Sequence, residues 1–367
     1  MSRRVVVVGG GVMGSACAWE LAQRGFSVVV LERSVPGAEA SSAAAGILGA
    51  QVEAHAEGPL ARLNGASRRL YPGWVRALGR ATGMDVEYRE CGVLEVRFGT
   101  ARVRALLRER AFQKPPPRRL DARALHRREP SLSEKLGGGV LFAGDARVDP
   151  RLLFRALHVA AARAGVSFRS GAYVRRVVET RGRASGVLLD DGSVVRGDHV
   201  LVAAGSWTSL VEGTGLSPSA VVPARGQILE LTCPEPLLGS VVFGPGAYLV
   251  PRDDGRVLVG STLEFVGYRR EVTAGAARDL LAAAIRIVPG LAGAALTGSW
   301  SNFRPYTEDE LPLIGPTALP GLWLASGHYR NGILLAPITA AIVGALVRGA
   351  RPPLPLAAFS PARAERG

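Results

Sequence analysis

Glycines at positions 9, 11 and 14 stand between an apolar run, Val5–Val8, and a stretch of helix formers, and an acid, Glu32, closes the next apolar run at Val28–Leu31. This spacing suits binding of the phosphates of a dinucleotide. Gly9 permits the turn out of the strand. Gly11 lets the backbone approach a pyrophosphate whose charge meets the positive end of the following helix, and Gly14 lets that helix lie tight on the strand. Glu32 is placed to accept a hydrogen bond from a ribose hydroxyl. A bare G-x-G-x-x-G says little. Here the strand before it, a helix over residues 15–23 and the acid after the second strand supply the context that makes it specific. The bland reading is a Rossmann-type unit with no ligand.

Two further stretches invite a ligand. Ser41-Ser42-Ala43-Ala44-Ala45-Gly46-Ile47-Leu48-Gly49 is a dense set of small side chains, suited to a helix start pressed against something flat or extended. Near the C-terminus, Ser326-Gly327-His328-Tyr329-Arg330-Asn331-Gly332 feeds a long apolar helix, whose N-terminus is an anion site. Cys17, Cys91 and Cys233 lie far apart, and the five histidines show no ligand spacing, so no metal is expected. No Ser/His/Asp or paired-carboxylate constellation is visible either.

The elements that must position these residues alternate along a chain of 367 residues with 47% hydrophobic content, long enough for one large or two interleaved domains. The formal net charge of +14 comes from 45 basic and 31 acidic residues, and all the basic ones except Lys114 and Lys135 are arginines. They are scattered through every segment. With no nucleic-acid motif beside them, they suit a phosphate cofactor and a carboxylate ligand rather than DNA or RNA. Residues 2–18 imitate a signal peptide, but three consecutive glycines break the apolar run, and residues 333–347 are too few for a membrane span. A cytoplasmic protein with reduced thiols and no membrane insertion is expected.

Along the chain, helical spacing runs over residues 64–79, Val86–Tyr88 and Val93–Phe98 alternate like strands, and helices are predicted over 101–112 and after Asp121. Asp149-Pro150 opens a helix to residue 164. A β-meander follows, with a hairpin at Asp190-Asp191-Gly192, and the apolar run at residues 199–204 reads as a strand covered on both faces. Strands are then expected at 226–231, 248–251, 257–262, near 295–300 and at 322–325, with a helix over 274–288.

The fingerprint VVVVGGGVMGSACAWELA, SSAAAGILGA, the pair YLVPR and FRPYTEDELPLIG, and GHYRNGILLAPITAA together resemble the D-amino-acid-oxidase-like family of FAD-dependent amine and amino-acid oxidoreductases. The likeness spans nearly the whole chain. It implies an α/β fold in which a Rossmann-type FAD-binding domain is assembled from residues 1–85, 143–222 and 318–367. An interleaved α+β substrate domain with a mainly antiparallel sheet would be built from residues 86–142 and 223–317.

The resemblance implies non-covalent FAD held by Gly9, Gly11, Val12, Met13 and Gly14 at the pyrophosphate, and by Glu32 and Arg33 at the adenosine. Ser41, Ser42, Ala45, Gly46, Ile47 and Leu48 would run along the pyrophosphate, ribityl chain and flavin. Val174, Ala204, Gly205 and Trp207 would complete the cofactor wall, with Gly327, His328, Arg330, Asn331, Gly332, Ile333 and Leu334 at the pyrimidine end of the flavin. A helix N-terminus there stabilises negative charge on a reduced flavin. Arg304 would anchor the substrate carboxylate through a bidentate fork, with Tyr248 donating its hydroxyl and Arg330 assisting. Asp309 and Glu310 read as loop charges at the entrance or partners of arginines.

The implied reaction is oxidative deamination of a small amino acid, glycine first, with molecular oxygen as acceptor, and it could feed thiamine thiazole synthesis. D-amino acids or secondary amines such as sarcosine and proline are the alternative within the family, and an NAD-dependent dehydrogenase is the alternative outside it. A homo-oligomer, by resemblance a homotetramer, is expected. Gly246 stands where glycine-oxidising members carry a histidine, Leu263 and Ile47 stand where methionines occur, Ala340 replaces a helix glycine, and no cysteine sits beside Tyr306-Thr307 for covalent flavin attachment.

Overall fold

Valine-rich runs such as Arg4–Val8 and Ser27–Leu31 are β-branched and buried almost throughout, which favours strands covered on both faces by helices and sheet. The computed structural model describes residues 3–365. Residues 1, 2, 366 and 367, the ends of the expected first and last cofactor-domain segments, lie outside the described residues.

A six-stranded sheet carries the glycine turn, its strands in the order Leu313–Pro316, Leu322–Ser326, His199–Val202, Arg4–Val8, Ser27–Leu31 and Ser167–Arg169. It is parallel apart from Leu313–Pro316, which pairs antiparallel with Leu322–Ser326 at the edge. That edge strand belongs to the first sheet although the reading above put residues up to 317 with the second. One face packs on the helices Val12–Gln23, Pro59–Thr82, Pro150–Arg163 and Gly332–Val347. The other packs on the antiparallel meander Val174–Thr180, Arg183–Leu189 and Val194–Arg196. Asp149 caps the Pro150–Arg163 helix by accepting from the N–H groups of Arg151 and Leu152 at 2.8 and 3.0 Å. The apolar Gly332–Val347 helix lies buried against the Val12–Gln23 and Pro59–Thr82 helices, as a core element.

The second sheet has eight strands, ordered Ala295–Tyr306, Val222–Thr232, Arg256–Gly260, Ala247–Pro251, Val241–Gly244, Val93–Val96, Gly138–Phe142 and Arg118–Asp121. All neighbours are antiparallel except Val241–Gly244 with Val93–Val96. Helix Ala274–Ile287 covers one face of it. Two readings need correction. The alternation at Val86–Tyr88 forms no strand; Val86 is buried in the first core and the Tyr88 ring stacks on Tyr71 with centroids 5.7 Å apart, which uses the apolar side chains without a ladder. The strand expected to end near Trp300 continues to Tyr306, because it is an edge strand and tolerates Pro305, which sits opposite Pro223.

The two sheets are tied by a buried arginine. Arg252 donates to the carbonyls of Val148 at 3.0 Å and Ala45 at 2.7 Å and approaches Asp149 at 3.6 Å. Burial pulls its pKa down to about 10 against the pull of Asp149. Removing the guanidinium leaves two buried carbonyls short of a donor and takes a positive charge from beside Asp149. Arg252→Met is therefore expected to cost about 3–5 kcal/mol of unfolding free energy, read as a lowered denaturant midpoint. A midpoint equal to that of the parent would show that the tie is not needed.

Candidate active site

Between the two sheets runs one long cavity whose wall draws on both. Its floor is the glycine turn. Gly9 has φ +103°, and a Cβ there would lie 2.5 Å from the Ala203 carbonyl oxygen, so only glycine admits this turn beside the neighbouring strand. Ser41 accepts a hydrogen bond from the Val12 N–H at 2.8 Å, fastening the short Ala40–Ala43 helix to the first turn of the long one. Glu32 accepts from the N–H groups of Gly10 at 2.8 Å and Ser34 at 3.0 Å. Those bonds hold its carboxylate at the cavity wall, close to Val174 and Tyr173.

The other end of the cavity belongs to the second sheet. Arg304 sits on the edge strand, opposite Ala224, and its guanidinium occupies the space that a Cβ at Gly226 would fill. It donates to the Ser261 hydroxyl at 2.5 Å and to the Thr262 carbonyl at 3.2 Å. Among the described residues it has no carboxylate partner. Tyr248 pairs in register with Gly260, and the lack of a side chain there lets the phenol ring lie flat on the strand. Arg330 stands at the mouth with its guanidinium 5.3 Å from the centroid of the Tyr329 ring. Partial burial opposes its charge, but the nearby Glu53 carboxylate holds its pKa above the ordinary value.

Of the residues expected from sequence, Gly9, Gly11, Val12, Met13, Glu32, Arg33, Ser41, Ala45, Gly46, Ile47, Val174, Ala204, Gly205, Trp207, His328, Arg330, Asn331, Gly332 and Ile333 line this cavity, as do Arg304 and Tyr248. Five do not. Gly14 is packed against the Gly9 carbonyl, where any Cβ would collide. Ser42 follows Ser41 by one helical step, about 100° round the axis. Leu48 alternates with Ile47 on a two-residue strand and enters the core. Gly327 lies against Thr307, whose methyl would be 2.7 Å from a Cβ. Leu334 is fully buried, its carbonyl accepting from the Ser67 hydroxyl at 2.6 Å.

Sequence reading missed Glu39, Glu53, Asn302 and Phe303, all in the wall. Glu53 follows the small-residue run by four positions, the only signal it offered. Its turn is held from below: Asp145 accepts from the N–H groups of Gln51 and Val52 at 2.9 and 2.8 Å, and Gln113 donates to the carbonyls of Gln51 and Ala54 at 2.8 and 3.0 Å. Asp309 bonds Arg363 at 2.7 Å, and neither Asp309 nor Glu310 reaches the cavity.

The family described as FAD dependent oxidoreductase matches residues 4–346. The chain is 37% identical over 351 residues to a bifunctional protein ThiO/ThiG of a Nostoc species, a match covering 95% of this chain and 53% of that protein. It thus spans about half the length of such curated relatives. Glycine oxidase of Geobacillus kaustophilus is 38% identical over 364 residues, covering 97% of this chain and 96% of that one. Its crystal structure superposes with a TM-score of 0.91 over 98% of both chains. The structure of iminodiacetate oxidase from a Chelativorans species superposes at 0.89 with 30% identity, covering 97% and 98%. The wall described above fits FAD. It has a glycine turn with no room for a Cβ at Gly9 or Gly14, a helix N-terminus beside it, the Glu32 carboxylate in the same wall and the Arg304 guanidinium, which has no carboxylate partner among the described residues.

His328 is buried within this wall and shares a 3.0 Å hydrogen bond with the Thr339 hydroxyl. Burial pushes its pKa down to about 3, so the folded protein holds a neutral imidazole where the unfolded chain, with the ordinary value of 6.5, takes up a proton. Stability from this group is intact above pH 6.5 and is lost as the pH falls toward 3. The unfolding free energy is expected to drop more between pH 7 and pH 5 in the parent than in His328→Gln. Parallel pH profiles for the two would contradict the buried neutral state.

Proposed function

Because the chain belongs to the family of FAD-dependent oxidoreductases, we propose that it is an amino-acid oxidase acting on glycine, which it converts with oxygen and water to glyoxylate, ammonia and hydrogen peroxide. One observation carries this reading: Arg304 brings a guanidinium with no carboxylate partner among the described residues into the end of a cavity built for a dinucleotide. A planar fork of this kind recognises a carboxylate with two parallel bonds.

Gly9, Gly11, Ser41 and Glu32 would hold the adenosine diphosphate half, and Ala45 to Ile47 with His328 to Ile333 the flavin half. When bound, the flavin supplies the two-electron acceptor. The chain's own residues supply position. Arg304 fixes the carboxylate and Tyr248 donates to it from the phenol. Glu53 and Arg330, opposite charges at the mouth, orient the amine end and limit the entry of water. None of this requires a side-chain acid or base at the reacting carbon, in keeping with a wall that offers no catalytic triad. Cys17, Cys91 and Cys233 are free thiols and none lines the cavity, which supports non-covalent FAD.

A secondary amine or a D-amino acid is the second reading. It is favoured by the likeness to iminodiacetate oxidase, named for a secondary amine, which superposes with a TM-score of 0.89 at 30% identity. On our reading the protein works in the cytoplasm as a homo-oligomer, a homotetramer by family pattern, without nucleic acid or membrane insertion. The FAD-binding unit uses residues 1–85, 143–222 and the chain from the Leu313–Pro316 strand onward, and the remainder binds substrate. Supply of thiazole synthesis is supported by the bifunctional relatives.

Anaerobic mixing of the flavin-loaded protein with glycine, sarcosine, proline and D-alanine separates these readings. Glycine is expected to bleach the flavin fastest, and bleaching only by the larger amines overturns the glycine assignment. Arg304→Ala is expected to weaken apparent glycine affinity by roughly 2–5 kcal/mol while FAD stays bound. Unchanged kinetics would remove Arg304 from the substrate site.

A further inference from the structure

Glu39 is an acid in an awkward place. It lines the cavity directly before the Ala40–Ala43 helix, two residues from the Ser41 hydroxyl that binds the first N–H of the Val12–Gln23 helix. A pyrophosphate drawn to that helix N-terminus would sit in the field of this carboxylate, a like-charge contact that costs binding energy in a partly buried wall. The structure surrounds Glu39 with positive charge. Arg33 donates to it at 2.6 Å, Arg270 donates to both oxygens at 2.8 Å, and the Asn302 amide adds a bond at 3.2 Å.

Arg270 comes from the other half of the molecule. Residues 264–271 leave the second sheet as a strap that is held at its base and reaches Ser206 and Trp207, which line the cavity. The base is an antiparallel bridge between Glu264 and Arg225, with N–H···O distances of 3.0 and 2.8 Å. At the tip, the Tyr268 hydroxyl donates to the Ser206 carbonyl at 2.7 Å and its ring stacks on Trp207 with centroids 5.4 Å apart. Trp207 also carries the Arg33 guanidinium 3.7 Å from its ring centroid. The Arg270 carbonyl is fixed in turn by the Ser301 hydroxyl at 2.6 Å.

Resting on the FAD reading above, we propose that Arg270 retains the cofactor from a distance: it neutralises Glu39 and latches the 264–271 strap over the adenosine half of the cavity. Arg270 is half exposed and does not itself line the wall, so its effect passes through Glu39. Burial alone would raise the Glu39 carboxyl, but the Arg270 and Asn302 bonds and the Arg33 charge more than reverse it, so the acid stays ionised and needs its cations. Loss of Arg270 should loosen the strap and leave Glu39 only partly answered, by Arg33 and the Asn302 amide, where it faces the pyrophosphate. Loss of both charges should remove the repulsion and restore much of the retention.

The test is release of FAD, followed as the rise in flavin fluorescence after dilution of the loaded protein into excess nucleotide phosphodiesterase, which cleaves released FAD to the more fluorescent FMN and so prevents rebinding. Arg270→Ala is expected to release FAD about tenfold faster than the parent, and Arg270→Lys to stay within about threefold. The double variant Glu39→Gln/Arg270→Ala should return toward the parent rate, and added salt should speed release from the parent more than from the double variant. Arg270→Ala releasing FAD at the parent rate overturns the proposal. So does a double variant no slower than Arg270→Ala, since strap packing alone would then account for retention. Failure of the parent apoprotein to take up FAD at all would instead sink the functional reading.

Discussion

How near the Val12–Gln23 helix lies to the Arg4–Val8 strand decides the rest of the cavity. The distance is set by an absent carbon: a Cβ on Gly14 would collide with the Gly9 carbonyl, and with none there the helix settles against the turn. From that contact the geometry propagates. The helix start offers its Val12 N–H to Ser41, Ser41 places the Ala40–Ala43 helix, and the Ala43 carbonyl accepts from the Trp300 indole of the second sheet at 2.9 Å. Arg252 closes the loop from the other side by holding the Ala45 carbonyl. A change of one methyl group at residue 14 would therefore be felt at a tryptophan in the other sheet, because packed interiors transmit displacement.

Arginine is the commonest charged residue of this chain, and its abundance carries little information. What separates the arginines is the company they keep. Arg225 is nearly buried but bonded to Glu264, and Arg252 is buried among carbonyls and Asp149. Both are spent on structure. Arg304 has only a hydroxyl and a carbonyl to answer a full positive charge, and an uncompensated charge in a wall is stable when a ligand brings its opposite. The acids divide the same way. Asp145 caps a turn from a fully buried position, where burial pushes it up to about 7, whereas Glu39 lines the cavity paired with Arg33 and Arg270, and Glu53 lines it within the field of Arg330.

The sequence made the backbone of this site legible wherever local chemistry was one-sided. Gly9, Gly11 and Glu32 could be read because strand, turn and helix follow one another within a short stretch, and the strand at His199–Val202 because an unbroken apolar run has few other uses. Arg304 and Tyr248 were legible only through resemblance, since one arginine on a strand looks like any other. Glu39, Glu53 and Asn302 could not be read at all. Their roles are created by partners up to 263 residues away, as with the Asn302 bond to Glu39, and no local pattern encodes such a meeting. Ser42, Leu48 and Leu334 stay out of the cavity wall for one reason. Their neighbours face the cavity, and helical or strand periodicity turns the next residue away from it, Leu48 and Leu334 into the core and Ser42 to a partly exposed face.

The sheet that carries the glycine turn has one more property. Its central strand pairs Val5 with His199, and Val200 in turn pairs with Leu322, so residues made early are neighbours of residues made far later. At about 5–20 residues per second, a ribosome takes between roughly 15 and 65 s to go from residue 4 to residue 322. The Arg4–Val8 strand lacks a partner on one side until residues 199–202 are made, and the His199–Val202 strand then lacks its own until residues 322–326 follow. The cofactor cavity is thus completed only once residues 328–333 have been made, and until then the growing sheet carries an open, apolar parallel edge.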